Sequence, residues 1–240
     1  MNTFNYKEHY KKDAVEFDYF EERKGATEHD ERRVREFIIA KVPKNINSIL
    51  DVGCGKGWVA REFLPKGKKV FSLDISITNP SIVKKLYQSE NHFGITADSF
   101  QLPFNDQSFD CIIASEIIEH VNNPAKFIIE LFRVVKKGGS LIITTPYKEK
   151  IIYYLCVHCN QKTPANAHIN SFDEKKMEGL YSGNDLKSYE YETFGNKVLI
   201  HFMTYVLLKY FPFWLWKLKD KFANLIYNKP VHIICVYKKK

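Results

Sequence analysis

"ILDVGCGKGWVA", residues 49–60, decides how the rest of the chain is read. An apolar run ends in an acid, Asp51, and glycines follow at 53, 55 and 57. A buried strand feeding Gly53, Gly55 and Gly57 makes a tight turn whose bare backbone can lie against a ligand. The spacing is wrong for a dinucleotide fingerprint, which needs Gly-x-Gly-x-x-Gly/Ala, because the sixth position counted from Gly53 is Trp58. It is also wrong for a phosphate loop, because Lys56 is followed by glycine and not by Ser or Thr. A carboxylate just before the turn repels a pyrophosphate and attracts a cation.

Outward from this turn, short apolar runs alternate with helical patterns. "SILDV", "KVFSLD", "FGITAD", "FDCIIAS" and "SLIITTP" read as strands, and "GWVAREFL", "NPSIVKKLYQ" and "NPAKFIIELFRVVKKGG" as helices, the last stopped by its glycines. Helices of crossover length imply parallel strands with right-handed connections. Asp51, Asp74, Asp98 and Ser115 fall at strand carboxyl ends, where ligands of such sheets sit. "KSYEYETF" and "VHIICVY" supply sixth and seventh strands. The expectation is an α/β fold: a Rossmann-like, seven-stranded, mostly parallel sheet flanked by helices. It forms a single domain, with N-terminal helices over 1–44, a core over 45–147 and a helical or loop cap over 148–187. Residues 188–240 hold the last strands and, between them, two helices broken at Pro212.

Four stretches in order resemble the class I S-adenosylmethionine (SAM)-dependent methyltransferases: "ILDVGCGKG", "FSLDIS", "TADSFQLPFNDQSFD" and "IIASEIIEHV". The pattern is similar to small-molecule methyltransferases, including those of quinone biosynthesis. The resemblance implies that Asp51, Gly53, Gly55 and Gly57 receive the amino-acid part of SAM, and that Asp74 takes the ribose. Asp98 and Ser99 would meet the adenine edge, and Ser115 would close the fourth strand end. Glu116 and His120 lie four apart, on one face if the stretch turns helical, and are the candidate acid–base pair. The family pattern also leaves open a nucleic-acid (RNA) methyltransferase or a non-catalytic SAM-binding protein. Against nucleic acid, no Asn/Asp-Pro-Pro-aromatic motif follows the fourth strand.

Composition sets the surroundings. With 45% apolar residues the 240-residue chain can fill a core. The N-terminus shows no unbroken apolar run, which favours a cytoplasmic location. The five cysteines, an odd number, argue against a disulfide framework. Cys156-x2-Cys159 with His168 has the spacing of half a structural zinc site. The net charge of +8 resides wholly in residues 197–240, which hold nine lysines and one acid. That basic, aromatic segment predicts contact with an anionic membrane surface, peripheral and not spanning, and a lipidic or other small-molecule substrate.

Overall fold

The computed structural model describes residues 5–158 and 160–240. Two N-terminal helices, α1 (Tyr6–Glu16) and α2 (Gly25–Lys41), precede a seven-stranded sheet. Its first four strands are β1 (Ser48–Val52), β2 (Lys69–Asp74), β3 (His92–Thr96) and β4 (Phe109–Ser115). Helices α3 (Trp58–Phe63) and α4 (Thr78–Leu86) make the first two crossovers, and α5 (Pro124–Arg133) leads into β5 (Val135–Pro146). The cap contains a small hairpin, β6 (Tyr153–Leu155) and β7 (Lys162–Pro164), and helix α6 (Glu174–Gly179). Strand β8 (Leu186–Asn196) is followed by α7 (Lys197–His201), α8 (Tyr205–Leu208) and α9 (Phe213–Ile226), and the chain closes with β9 (Pro230–Lys239). The strand order is β3-β2-β1-β4-β5-β9-β8. Pairs among β1 to β5 are parallel, and β9 runs antiparallel to both β5 and β8. The expected seven-stranded, mostly parallel sheet is therefore present, with its helical insertion before the last strand.

The apolar runs explain the layering. All five positions of β1 are buried, as a central parallel strand flanked by helices on both faces requires. Ile49 packs with α2, α3 and α9 on one face, and Leu50 packs with α5 on the other. Helix α5 sets Phe127, Ile128, Leu131 and Phe132 inward on a helical period. Its start is fixed by the Asn123 side chain, which accepts from the Lys126 N–H, and by Pro124 in its first turn.

Two sequence expectations are corrected. The helix ends at Arg133, so residues 135–139 belong to β5 and not to α5. The glycines there make an irregularity in the β4–β5 register and do not stop a helix: a Cβ on Gly139 would lie 2.7 Å from the Asp110 carbonyl oxygen. Residues 197–211 also do not form one helix, because Met203 takes a left-handed backbone (φ 52°) and divides α7 from α8 before Pro212 starts α9.

The insertion is tied down by one buried cation. The Arg33 guanidinium, 1% exposed, pairs with Glu36 at 2.6 Å and donates to the carbonyls of Leu208 and Phe211 at 2.8 and 3.1 Å. It also lies over the Trp216 ring, 5.0 Å from its centroid. Replacing it with leucine removes its bonds to the Leu208 and Phe211 carbonyls and leaves Glu36 with Arg32 as its cation. Arg33→Leu should cost about 3–5 kcal/mol, read as a lowered denaturant midpoint.

Candidate functional site

Strand order reverses between β1 and β4, and a cavity of about 480 Å³ opens beyond their carboxyl ends. Gly53 shapes its floor. Its φ is +69°, and a Cβ there would stand 2.3 Å from Ile117 Cδ1, so the position has no room for a side chain. Gly55 lines the cavity beside it. Gly57 instead starts α3 at φ +72° and faces Val83 of α4, where a Cβ would stand 2.4 Å from Cγ1. Its part is packing beneath the turn.

The acids at the strand ends occupy three different environments. Asp51 is 2% exposed, and its Oδ2 has no hydrogen-bond partner. Burial, and secondarily the charge of Asp74, pushes its pKa up to about 8. Asp74 lines the cavity, with Oδ1 accepting from the Ser76 N–H at 3.0 Å and Oδ2 from Asn79 at 3.2 Å. Each oxygen keeps a further lone pair for a ligand. Burial raises the pKa of Asp74, against those donors. Asp98 is engaged by the N-terminal helix: Tyr6 Oη donates at 2.9 Å and Lys7 Nζ lies 2.6 Å away. Burial opposes its charge, yet Lys7, the Phe100 N–H and Tyr6 hold it below the usual carboxylate range. Ala97 and Ser99, on either side of it, line the cavity. Asp98 thus fastens α1 over the pocket, where Tyr6, Tyr10 and Tyr19 form the roof. These tyrosines carried no motif, only a helical pattern of charged residues.

The stretch after β4 does not become an α-helix. Glu116 takes φ 55°, and a single 3-10 turn spans Ile118–His120. Glu116 and His120 therefore do not share a helical face. Instead, Glu116 Oε2 lies 3.5 Å from His232 Nδ1 on β9, and His232 Nε2 lies 2.9 Å from Asp30 Oδ2 on α2. Burial works against a charge on His232, but Glu116 and Asp30 outweigh it and push its pKa up to about 10. Glu116, His232 and Asp30 all line the cavity, and Glu116 Oε1 is buried with no hydrogen-bond partner. Ser115, which also lines it, shares a hydrogen bond with Thr144.

His120 faces a second group. Its Nδ1 donates to the Ala167 carbonyl at 3.3 Å, and its Nε2 lies 3.8 Å from Glu119 Oε1. The His168 ring meets it edge-on at 4.8 Å. Burial and His168 push the His120 pKa down to about 4, while burial and Glu116 push Glu119 well up. His120 is then neutral at pH 7, and its proximity to Glu119 is not an ion pair. Glu119, His120 and His168 bring ligand atoms within 4.8 Å of one another, which makes them the described group that could hold a cation. His168 also bonds Glu149 through Nδ1 at 2.6 Å. For the zinc reading, Cys159 lies outside the described residues. Cys156 sits in the turn of the β6–β7 hairpin, and the cluster that gathers His168 does not include it.

Known proteins agree with this architecture. Residues 50–143 match the family model described as a methyltransferase domain. A mitochondrial ubiquinone biosynthesis O-methyltransferase of Dictyostelium discoideum is 29% identical over 194 residues, 68% of this chain and 60% of that protein. One from Rickettsia prowazekii is 33% identical over 127 residues, 49% of each protein. The chain thus spans about half the length of the curated relatives it matches. Among solved structures, phosphoethanolamine N-methyltransferase 2 of Haemonchus contortus, in complex with S-adenosyl-L-methionine, matches with a TM-score of 0.59 at 15% identity. That match covers 87% of this chain and 52% of the other. The cyclase SpnF matches with a TM-score of 0.60 at 18% identity, over 91% and 84% of the chains. These structural likenesses carry the fold, and the reaction has to be argued from the site.

The Gly53 turn makes one prediction. Gly53→Ala should lower stability by roughly 1–3 kcal/mol through backbone strain and the clash with Ile117. A thermal melt and a denaturant titration check it.

Proposed function

We propose that this chain, whose residues 50–143 match the methyltransferase domain family, is of the class I SAM-dependent type and transfers a methyl group from SAM to a small-molecule acceptor of hydroxylated, quinone-like kind. The observation that carries the donor half is the buried, unpartnered Asp51 oxygen beneath a bare glycine turn. That pairing suits a cationic donor with no phosphate. A nucleotide phosphate would meet the Asp74 carboxylate at the cavity wall, with Asp51 buried behind it.

In this reading Asp51 and the Gly53–Gly55 backbone bind the amino-acid part, and Asp74 accepts from the ribose hydroxyls. Ala97 and Ser99 border the adenine under the tyrosine roof. SAM supplies an electrophilic methyl on sulfur; an acceptor oxygen in line with that bond takes the methyl as S-adenosylhomocysteine departs and the hydroxyl proton is lost. Much of the acceleration comes from alignment, which in the best cases is worth about 7–11 kcal/mol.

The acceptor half rests on Glu116. Its Oε1 is a buried polar atom with no hydrogen-bond partner, and its other oxygen lies 3.5 Å from His232, which Asp30 holds. Glu116 receives the acceptor's hydroxyl hydrogen, and His120 Nε2 is a second polar contact on the same wall. The names of the relatives support an oxygen acceptor of quinone type; that it is lipid-linked and met at the membrane surface is part of the proposal. The RNA alternative has no comparable support, since the cavity lining mixes Arg23, Arg35 and Lys56 with Asp30, Glu31, Asp74 and Glu116 and is not a basic groove.

Calorimetry should show SAM and S-adenosylhomocysteine binding while ATP gives no heat; the reverse result refutes the reading. Asp51 adds a pH signature. Below about pH 8 its carboxyl is protonated in the free protein, and a cationic ligand favours the ionised form. Binding at pH 7 should release a proton, and affinity should rise with pH and level off above about 8. Asp51→Asn should remove that dependence along with most of the affinity. Glu116→Gln should lower kcat by about 10²–10⁴ while SAM affinity stays within a factor of about three, in a methyl-transfer assay with dihydroxylated aromatic acceptors.

A further inference from the structure

Helix α9 carries two apolar faces where a surface helix needs one. Trp216 and Asp220 are buried against the body. On the other side Trp214, Leu218, Phe222 and Leu225, spaced four, four and three apart, are 59–82% exposed. The neighbouring α7–α8 segment adds Phe202, Leu207 and Tyr210, each above 70% exposed. A groove of about 470 Å³ runs between the two segments, walled by Leu199, Leu207, Phe222 and Ile226. Scattered exposed apolar residues need no explanation, but a contiguous face of this composition marks a contact surface.

The charges around it indicate what covers it. Lys197, Lys209, Lys219 and Lys229 flank the face and make no ion pair among the described residues. Lys217 and Lys221 are held by Glu192. The segment's one acid, Asp220, is 2% exposed and turned inward, its Oδ2 accepting from the Gly195 N–H at 3.1 Å. A second copy of this chain, docked face to face about a two-fold axis, would bring the same lysines against one another. An anionic bilayer meets both demands at once: acyl chains take the Trp, Leu and Phe stripe, and headgroups take the lysines. Among the described residues no helix is long and apolar enough to cross a membrane. The contact is therefore one of lying on the surface and not of spanning it.

We propose that the outer face of α7, α8 and α9 is a docking surface for an anionic lipid bilayer. It rests on the methyltransferase reading only for what is gained by docking. The face is fastened to α2 through Arg32 and Arg33, which donate to the carbonyls of Lys209, Leu208 and Phe211. The same helix gives Asp30, Glu31, Val34 and Arg35 to the cavity wall. One rigid element thus joins the docking face to the acceptor end of the cavity, and an acceptor with an acyl or isoprenoid tail is met where it resides.

Vesicle flotation of the full chain, without SAM, tests the surface alone. The protein should float with vesicles in which a third of the phosphatidylcholine is replaced by phosphatidylglycerol, roughly tenfold more than with pure phosphatidylcholine, and less at high salt. The doubly substituted Leu218→Glu/Phe222→Glu protein should lose flotation on both compositions. Lys209→Glu/Lys219→Glu should lose only the preference for phosphatidylglycerol. Near-ultraviolet circular dichroism and the melting temperature confirm that these surface variants fold. A wild-type chain that stays unbound on every composition overturns the proposal. So does an oligomer that the Leu218→Glu/Phe222→Glu change dissociates while flotation is unaltered, because the face then belongs to a second copy. A separate SAM titration keeps the two readings apart: flotation with no SAM binding, or the converse, sinks one and spares the other.

Discussion

The proposed donor site depends on a carboxylate kept out of water, behind the cavity wall, with nothing bonded to one of its oxygens. Asp51 stands at the end of the most buried strand of the sheet, and Oδ2 finds no donor. Burying a polar group without a partner costs free energy that other contacts must offset. The arrangement is intelligible if a cation arrives to complete it. The same constraint dictates the turn that follows: a side chain at Gly53 would strike Ile117. Neighbouring Asp74 adds to the pressure, since two carboxylates in one low-dielectric corner each disfavour ionisation of the other. A positive ligand relieves both.

The acceptor end is built on the opposite principle. Glu116 is held in a backbone region that non-glycine residues seldom occupy, and its carboxylate lies 3.5 Å from His232. The strain, of order 1–3 kcal/mol, is offset by His232, which sits between Glu116 and Asp30 and is charged at neutral pH. A fixed imidazolium bridging two acids is a rigid device. It gives one direction to a carboxylate that would otherwise sample several rotamers, and orientation is what an in-line transfer needs.

Much of this was legible in the sequence. The strands were marked by short apolar runs ending in Asp51, Asp74 and Ser115, and a turn that tolerates three glycines stands out in any chain. What escaped reading was of two kinds. Local ambiguity hid the β5 boundary: "KKGG" after a helical pattern looks like a helix stop, and only pairing with β4 shows it to be a bulged strand start. "SEIIEHV" has helical spacing, but the backbone at Glu116 turns left-handed, so the Glu116–His120 pair dissolves and Glu119, unremarked in the sequence, takes its place beside His120. The other kind is distance. Asp30 and His232 are 202 residues apart, and no local pattern links a charged helix start to the first turn of the last strand. Tyr6 reaches Asp98 across 92 residues, with Lys7 beside it, so an acid read as a cofactor contact also anchors the roof.

The contrast between the two polar clusters bears on which group takes the acceptor's proton. His120, pushed down to about 4 by burial and by His168, is a weak base. A phenolic hydroxyl ionises near 10, so moving its proton to His120, as to any carboxylate of ordinary pKa, is uphill by about 6 units, roughly 8 kcal/mol, before the methyl is transferred. The proton becomes acidic only as the oxygen bonds the methyl carbon, so what matters is which group is hydrogen-bonded to it at that moment. His120 has Nδ1 tied to the Ala167 carbonyl and Nε2 toward Glu119. Glu116 lines the cavity with one oxygen 3.5 Å from His232 and the other without a hydrogen-bond partner. Position, and not basicity, is the ground on which the proposed proton transfer is given to Glu116.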